Sequence, residues 1–324
     1  MKTIAFFNNK GGVGTTSLVY HLAWMYSALG LRVLAADLDP QANLTTMFLD
    51  DERLDSLWAG RLDWTILGSL RPLLEGKGGI LDPSIEDVAG VGLLAGNLAL
   101  AGFEDEISQQ WGSCLEKTGR PFEVTGAFHE ILSRSAQERE ADIVLVDLGF
   151  SLGAIERAAL IAADSIVIPL GLDRSSMQAL AILGPRLREW REGWQQRLKL
   201  RPHGLVLPLG ALVPLGYVVM QRPSHPGGSM DQHEFRARLA YSQDVLGEAS
   251  PSTGMITGPD PHRIFTLKPY RSLMPLAQEA RKPMFALKSA DGAIGGHAQA
   301  VQDCYRDFQA LAREVARRAG IELP

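Results

Sequence analysis

A glycine-rich segment near the start of the chain has the composition of a phosphate-binding loop. It reads Lys10-Gly11-Gly12-Val13-Gly14-Thr15-Thr16 and lies between an apolar run and a helix-forming run. Glycines at such a strand-to-helix turn leave backbone N–H groups and the positive end of the helix free to bind a phosphate chain. The segment by itself is also compatible with an ordinary tight turn, so its chemistry depends on the residues that lie beside it.

The segment departs from the usual phosphate-binding pattern at two positions. The pattern G-x-x-x-x-G-K-[ST] requires a glycine where Asn9 stands and a lysine where Thr15 stands. A different lysine, Lys10, precedes the glycines, and Thr16 has the position of the hydroxyl that holds Mg²⁺ in such loops. Loss of one charge-assisted contact to phosphate costs about 1.5–3 kcal/mol. The sequence therefore predicts nucleotide binding and leaves the rate of hydrolysis open.

Three aspartates are expected to lie beside this loop. Asp37 and Asp39 follow one apolar run, and Asp147 ends another. Ligands of doubly wound sheets bind beyond the carboxyl ends of the strands, which is where all three side chains would meet the loop. Asp147 has the acidic position that holds Mg²⁺ through water, and Asp39 could orient an attacking water. Asp37 or Asp39 alone is equally compatible with a turn or a strand end, whereas Asp147 favours a functional role because a buried strand delivers it. Together with the loop, the three aspartates indicate a nucleotide site.

Short apolar runs alternate with amphipathic helical stretches along the chain. This alternation predicts an α/β fold with a doubly wound, mostly parallel sheet and helices on both faces. The apolar runs predict about seven or eight strands, and Pro185 is expected to kink or divide the helix that contains it. The predicted strands are Lys2–Phe7, Arg32–Ala36, Val91–Leu94, Ile143–Val146, Ser165–Pro169, Tyr217–Met220 and Ile264–Leu267, and the main helices are Thr16–Leu29, Ser175–Arg197 and Ala298–Arg318.

Length and composition predict one domain of 324 residues, with insertions near 50–90 and 222–262. No apolar run approaches the roughly 20 residues that cross a bilayer, and no signal-peptide layout precedes the first strand. Cys114 and Cys304 lack metal-ligand spacing, so a reduced cytoplasmic setting without a His/Cys metal site is expected. The net charge of −5 disfavours general coating of nucleic acid but allows a local basic patch.

The ordered motifs resemble those of the ParA/MinD family, whose ATPases have a deviant phosphate-binding loop. The resemblance spans nearly the whole chain and implies the P-loop NTPase fold. The matching residues are Lys10-Gly-Gly-Val-Gly14 with Thr16, Asp37-Leu-Asp-Pro-Gln41 with Asn43, Asp147 with Ser151-Leu-Gly153, Ala163-Asp-Ser165, Ile168-Pro169 and Leu267-Lys-Pro269.

The resemblance implies a homodimer that forms around ATP and Mg²⁺ and holds ADP after turnover. Lys10 would reach across to the partner's phosphates, and Asp39 would position the hydrolytic water. Asp37 and Asp147 would support the magnesium together with Thr16. Residues 10–16 would contact the nucleotide, with Gln221 and Pro269 near the adenine, although Gln221 is equally compatible with an ordinary strand end.

Two functions are compatible with the departures from this family. Thr15 replaces the loop lysine, and Leu148-Gly149-Phe150 follows Asp147 where the family commonly has two prolines. The first function is a nucleotide switch with slow hydrolysis that acts in DNA partition or cargo positioning. The alternative is a weakly hydrolysing or non-hydrolysing scaffold that regulates a partner complex, as the similar BcsQ-like proteins do. The two cysteines do not form the cluster-binding pair of nitrogenase-type iron proteins.

Two basic segments, Arg186–Arg201 and Arg313–Arg318, raise the possibility of DNA binding without sequence preference. Solvated helix faces are the alternative interpretation. The resemblance also implies a partner protein of the ParB or adaptor type. No membrane attachment through a MinD-like amphipathic tail is expected, because only Gly-Ile-Glu-Leu-Pro follows Ala319. Trp190 and Trp194, at helical spacing, are expected to be core or interface residues rather than base-stacking surfaces.

Overall fold

In the computed structural model, eight strands form one sheet that has helices packed on both faces. The structure describes residues 1–59, 62–116, 118–220, 230–248 and 259–324. The strands are β1 (Lys2–Phe6), β2 (Val33–Asp37), β3 (Glu86–Val88), β4 (Val91–Leu94), β5 (Ile143–Asp147), β6 (Ser165–Leu170), β7 (Val213–Met220) and β8 (Arg263–Leu267). The α-helices are α1 (Thr15–Ala28), α2 (Asn43–Phe48), α3 (Asp51–Trp58), α4 (Ile66–Leu74), α5 (Phe103–Ser113), α6 (Gly119–Glu138), α7 (Ala154–Ala162), α8 (Arg174–Leu198), α9 (Met230–Ala240), α10 (Met274–Ala280) and α11 (Gly296–Ala319).

The strand order is β3-β4-β2-β5-β1-β6-β7-β8. All neighbouring pairs are parallel except β3 with β4, which is antiparallel and forms one edge of the sheet. The carboxyl ends of β1, β2 and β5 are aligned, since Asp147 is opposite both Phe6 and Asp37. The predicted doubly wound α/β fold is confirmed, and this alignment brings the predicted site residues to one edge.

Each face of the sheet carries a hydrophobic core. Helices α4 to α8 cover one face, where Phe103, Phe128 and Trp190 are buried. Helices α1, α2, α3, α10 and α11 cover the other, where Tyr26 and Phe308 are buried. Strands that are covered on both faces consist of almost uninterrupted apolar residues, which explains why these short runs were recognisable in the sequence.

Some local predictions were wrong. Pro185 does not divide its helix, because α8 is continuous from Arg174 to Leu198; a kink at Pro185 stays a prediction. Strand β3 was not predicted; its sequence, Glu-Asp-Val, lacks the apolar pattern of a buried strand. In α11, Phe308 is buried, whereas Tyr305 is 38% exposed. Trp190 and Trp194 are core residues, as expected.

The prediction of one domain with two insertions stays a prediction. The first proposed insertion, 50–90, contains α3, α4 and β3. Of the second, 222–262, the structure describes residues 230–248 and 259–262. Both cysteines are buried and free. Among the described residues, no helix combines the length and the apolar character needed to cross a bilayer.

Candidate functional site

The phosphate-binding loop has the backbone conformation that its glycines permit. Gly12 and Gly14 have φ angles of +72° and +96°, in the left-handed region that side chains with a Cβ rarely adopt. Gly14 is the N-cap of α1, so the loop opens directly onto the positive end of that helix. Asn8 connects the loop to β6 through two hydrogen bonds. Its Nδ2 donates to the carbonyl of Pro169 (2.6 Å), and its Oδ1 accepts from the N–H of Lys10 (3.0 Å).

Asp147 is buried beside this loop without a hydrogen-bond partner. Its side chain is fully inaccessible, and neither carboxylate oxygen has a partner among the described residues. Burial raises the pKa of Asp147 well above its usual range, and the negative charge of Asp37 raises it further. The Thr16 hydroxyl partly offsets that rise, although it forms no well-aligned hydrogen bond with either oxygen. A carboxylate in this state is suited to a cation or to water that a cation holds.

Asp37 is equally buried, but the protein satisfies its oxygens. Its Oδ2 accepts from the backbone N–H (2.8 Å) and the hydroxyl (2.7 Å) of Thr45, the third residue of α2. Its Oδ1 accepts a long bond from the N–H of Asp39 (3.3 Å). The Thr45 hydroxyl also accepts from the N–H of Gly96, so it ties α2 to the segment after β4. Burial is the main reason that the pKa of Asp37 rises to about 7.

The residues present fit a magnesium ion held together with a nucleotide. Among the described residues, no three His, Cys, Asp or Glu side chains form a group that could hold a metal ion alone. Magnesium in nucleotide sites typically takes one or two protein oxygens and completes its shell with phosphate oxygens and water. The unpartnered oxygens of Asp147 and the hydroxyl of Thr16 provide such a set.

Asp39 lies two residues beyond β2, at the entrance to the site. Its Oδ1 accepts from the N–H of Gln41 (2.9 Å), which closes a tight turn after Asp39. Burial raises the pKa of Asp39, and bonds from Gln41 and Asn43 lower it in part. The side chain is 7% exposed, so its position depends on its immediate neighbours.

The Lys10 side chain forms an ion pair with a carboxylate of its own chain. Its Nζ lies 2.6 and 2.7 Å from the two carboxylate oxygens of Asp173 and 3.0 Å from the hydroxyl of Ser176. Asp173 is also the N-cap of α8, because its Oδ1 accepts from the N–H of Ser176 (2.8 Å). The ammonium group that the sequence assigned to a partner's phosphates therefore has an ion pair within its own chain.

The segment after Asp147 packs against the phosphate-binding loop. A Cβ added to Gly11 would lie 3.4 Å from the Phe150 ring, which is itself 53% exposed. At the other end of the loop, a Cβ added to Gly14 would lie 3.1 Å from the Met220 methyl at the end of β7. The loop is thus flanked by two apolar side chains from different strand ends.

The remaining residues that were predicted to bind the nucleotide lie in different parts of the structure. Thr15 is the first residue of α1, and Val13, which belongs to the loop, is buried. Pro269 is exposed two residues after β8. Gln221 lies outside the described residues.

The basic segments are less exposed than their sequences suggest. Arg197 is 9% exposed and donates to the carbonyls of Trp111 (2.7 Å) and Gly193 (2.9 Å), so it is not part of an outer surface. In α11, Arg313 and Arg317 are exposed as predicted. Arg318 instead donates to the carbonyl of Leu215 (2.9 Å) and pairs with Glu314.

Sequence reasoning did not identify the side chains that support the site. Asp173 precedes a helix start and had the pattern of an N-cap, although nothing indicated that it would meet Lys10, 163 positions away. Thr45 had no recognisable signal. Glu104 and Glu156 lie on helices, where acidic residues are usually solvated, yet both bond to the start of α7.

The chain is similar in sequence to several known proteins. The AAA_31 family, described as an AAA domain, matches residues 1–200. The chain is 30% identical to the chromosome-partitioning ATPase Soj of Thermus thermophilus, over 62% of this chain and 67% of that protein. It is 26% identical to the chromosome partitioning protein ParA of Caulobacter vibrioides, over 64% and 70% of the two chains.

Solved structures share the fold over almost the whole chain. A Corynebacterium diphtheriae protein, DIP2308, superposes with a TM-score of 0.73 at 22% identity and 98% coverage of both chains. A putative plasmid partition protein of Borrelia burgdorferi bound to AMPPNP gives 0.60 at 16% identity, with 98% and 99% coverage. A variant of Cyanothece McdA in complex with ATP gives 0.60 at 15% identity, with 100% and 98% coverage. At these identities the superpositions establish the fold alone.

Proposed function

The chain belongs to the AAA_31 family and is a ParA-type P-loop ATPase, and we propose that it is an ATP-dependent switch that positions DNA or another cargo. The observation that carries the proposal is the pair of unpartnered Asp147 oxygens beside a loop whose backbone is arranged for phosphate. Relatives named for chromosome partitioning support the cargo class.

In the proposed complex, residues 10–16 bind the phosphates of ATP. The left-handed glycines point N–H groups into the loop, and the N-terminus of α1 contributes its positive potential. Thr16 and Asp147 would hold Mg²⁺, directly or through water, and the ion supplies positive charge that neutralises the phosphates. Asp37 would support the ion from the end of β2, and its hydrogen bonds with Thr45 connect α2 to the site.

The proposed active form is a dimer in which Lys10 contacts the partner's nucleotide. This requires Lys10 to exchange Asp173 for phosphate, because one ammonium group cannot satisfy both at close range. The exchange replaces one carboxylate with a phosphate chain of greater negative charge, which favours the dimer only when ATP is present. Occupancy of the site would thereby determine the oligomeric state.

Hydrolysis in this protein is proposed to be slow. Thr15 supplies no charge where the usual loop lysine meets the phosphates, and about 1.5–3 kcal/mol of charge-assisted bonding is lost with it. Asp39 remains as the residue that orients the attacking water. A weakly hydrolysing or non-hydrolysing scaffold is the second candidate, and the Lys10–Asp173 pair favours it, because a lysine retained in its own chain can gate assembly without turnover.

The test compares wild type with Lys10→Ala and Thr15→Lys in three measurements: ATP affinity, ATP-dependent dimerisation and turnover. Wild type is expected to bind ATP in a Mg²⁺-dependent manner. Lys10→Ala is expected to bind ATP and to remain monomeric. Thr15→Lys is expected to bind ATP about tenfold more tightly or to turn it over faster, since it restores one charged contact.

Lys77→Ala is the matched control, because Lys77 is an exposed lysine whose ion pair with Glu75 lies in a surface turn. It should behave as wild type in all three measurements. Unchanged dimerisation in Lys10→Ala would contradict the cross-subunit role. Measurable binding with no turnover, even in Thr15→Lys, would favour the scaffold.

A further inference from the structure

Two glutamates hold the beginning of α7. Glu104, on α5, accepts from the N–H groups of Ala154 (2.6 Å) and Ile155 (2.8 Å) with its two oxygens. Glu156, in the first turn of α7, accepts with Oε2 from the Ser151 hydroxyl (2.6 Å) and the N–H of Gly153 (3.2 Å). The segment that follows Asp147 is therefore fixed at its far end by carboxylates.

Gly149, in the middle of this segment, lies against two further carboxylate oxygens. A Cβ added to it would be 3.0 Å from Oε1 of Glu156 and 3.1 Å from Oδ1 of Asp39. Both oxygens thus pack on the same side of Gly149, at the place where any other residue would carry a side chain. Asp39 and Glu156 therefore both border the space that a side chain at position 149 would fill.

Glu156 is 2% exposed and does not belong to the phosphate-binding loop. A buried carboxylate is unfavourable unless its oxygens are bonded, and Glu156 is bonded to the segment itself. Its position therefore determines that of Gly149. Asp39, which is bonded on its other side to Gln41, rests against that same glycine.

We propose that Glu156 is a positioning residue for ATP hydrolysis: it holds Gly149 against Asp39 and thereby keeps the Asp39 carboxylate where it orients the attacking water. This rests on the proposed function, in which Asp39 has that role. In the reaction, the water oxygen bonds to the γ-phosphorus, the bond to the ADP oxygen breaks, and the water proton passes to phosphate or bulk solvent. Glu156 takes part in none of these transfers.

The test is a double-mutant cycle on kcat and KM for ATP with Glu156→Ala, Gly149→Ala and the double variant. Each single variant is expected to lower kcat about tenfold and to leave KM within about twofold, because the water is misplaced while the phosphate contacts remain. The Gly149 methyl would meet both Glu156 and Asp39, and removing the Glu156 carboxylate removes one of these two contacts. The two variants therefore share part of their cause, and the double variant is expected to lose clearly less than the product of the two single losses.

Glu156→Gln keeps the size and an acceptor oxygen and is expected to retain kcat within about threefold of wild type. If Glu156→Ala does not fold, the cycle is run with Glu156→Gln, whose smaller effect should still be non-additive with Gly149→Ala. Glu130→Ala, on the outer face of α6, is the control and should leave kcat unchanged.

Multiplicative losses in the double variant, or a raised KM with unchanged kcat, would overturn the role of Glu156 alone. Wild-type protein that binds ATP and shows no turnover in a single-turnover assay would overturn the hydrolytic function, and the positioning role with it. The two failures are therefore distinguishable.

Discussion

Asp173 has two roles that ordinarily belong to different residues. It caps α8 and it binds the Lys10 ammonium group. Burial alone would raise the pKa of its carboxyl, but bonds from Lys10, Ser175 and Ser176 hold that pKa well below its usual range. At neutral pH the group is thus a carboxylate, and Lys10 can leave it only for a stronger anion.

Serine at position 173 would separate the two roles, because serine is a good N-cap and carries no charge. Asp173→Ser is expected to match wild type in thermal stability, whereas Asp173→Ala should lose about 1 kcal/mol of unfolding free energy. Both variants release Lys10 and are expected to dimerise with ATP at protein concentrations about three- to tenfold lower, as measured by light scattering. Weaker dimerisation of Asp173→Ser would mean that Asp173 orients Lys10 rather than withholding it.

Among the elements, α1 is fastened to the rest of the molecule by a buried histidine. Nδ1 of His21 lies 2.6 Å from the carbonyl of Ser17, and its Nε2 accepts from the N–H of Met284 (3.1 Å). The ring stacks on Phe308 of α11, with 4.9 Å between centroids. Both ring nitrogens are engaged as in a neutral imidazole, so the helix that begins at the phosphate-binding loop depends on an uncharged His21.

The stability of the fold should therefore depend on pH through His21. Burial lowers the pKa of His21 to about 4, from an unfolded value near 6.5, while the bond to Ser17 partly offsets that effect. Below about pH 6.5, His21 binds a proton in the unfolded chain but stays neutral in the folded protein until the pH approaches 4. The His21 contribution, of about 3 kcal/mol, is present above pH 6.5 and is lost as the pH falls to about 4.

Urea unfolding of wild type and His21→Phe between pH 4 and 7.5 measures this contribution. Phenylalanine preserves the ring stack but does not titrate, so the variant should be less stable at pH 7.5 and the difference should shrink or reverse near pH 4. Asp37 and Asp147 contribute equally to both proteins and cancel in the difference. A constant difference over the whole range would show that His21 does not titrate on unfolding.

For the helices and strands, the local sequence determines much of the structure, but not all of it. The central strands were predictable, because β1, β2, β5 and β6 are covered on both faces and are therefore apolar except at their ends. β3 was not, because an exposed edge strand needs no apolar pattern. Pro185 did not end α8, because packing along a helix of 25 residues outweighs one missing hydrogen bond.

The candidate site was predictable only where local sequence determines it. The glycine loop and Asp147 follow apolar strands directly, so the rule for strand ends located them. The bond from Thr45 to Asp37 and the contact of Glu156 with Gly149 depend on how α2 and α7 pack. Such contacts depend on tertiary packing, so the local sequence contains no pattern that would predict them.

For the whole molecule, the distribution of charge bears on the proposed cargo. The net charge is −5, and several arginines of the basic segments are used internally, Arg188, Arg197 and Arg318 among them. A DNA surface would therefore rely on the exposed basic residues, such as Arg313 and Arg317. Dimerisation would double their number on one assembly.

ATP-loaded protein is expected to retain duplex DNA at low salt and to release it as salt rises, because phosphate neutralisation releases counterions. Arg313→Ala should reduce the slope of log K against log salt by about 1 per protomer, whereas Arg317→Ala should change it less, because Arg317 is already paired with Glu314. Filter binding from 50 to 200 mM salt measures this. The control for Arg313→Ala is Arg134→Ala, a single arginine that two carboxylates already neutralise. ATP-loaded protein that ignores DNA at the lowest salt would exclude DNA as the cargo.

The interior position of β1 in the sheet has a consequence for synthesis on the ribosome. β1 is made first, but its two neighbours in the described sheet are β5 and β6, which end at Asp147 and Leu170. Until those residues leave the exit tunnel, Ile4 and Phe6 have no sheet to join and remain exposed on the nascent chain. The phosphate-binding loop cannot assume its final form before then. About half of the protein must therefore emerge before ATP can stabilise it, and that interval is when a chaperone would be needed most.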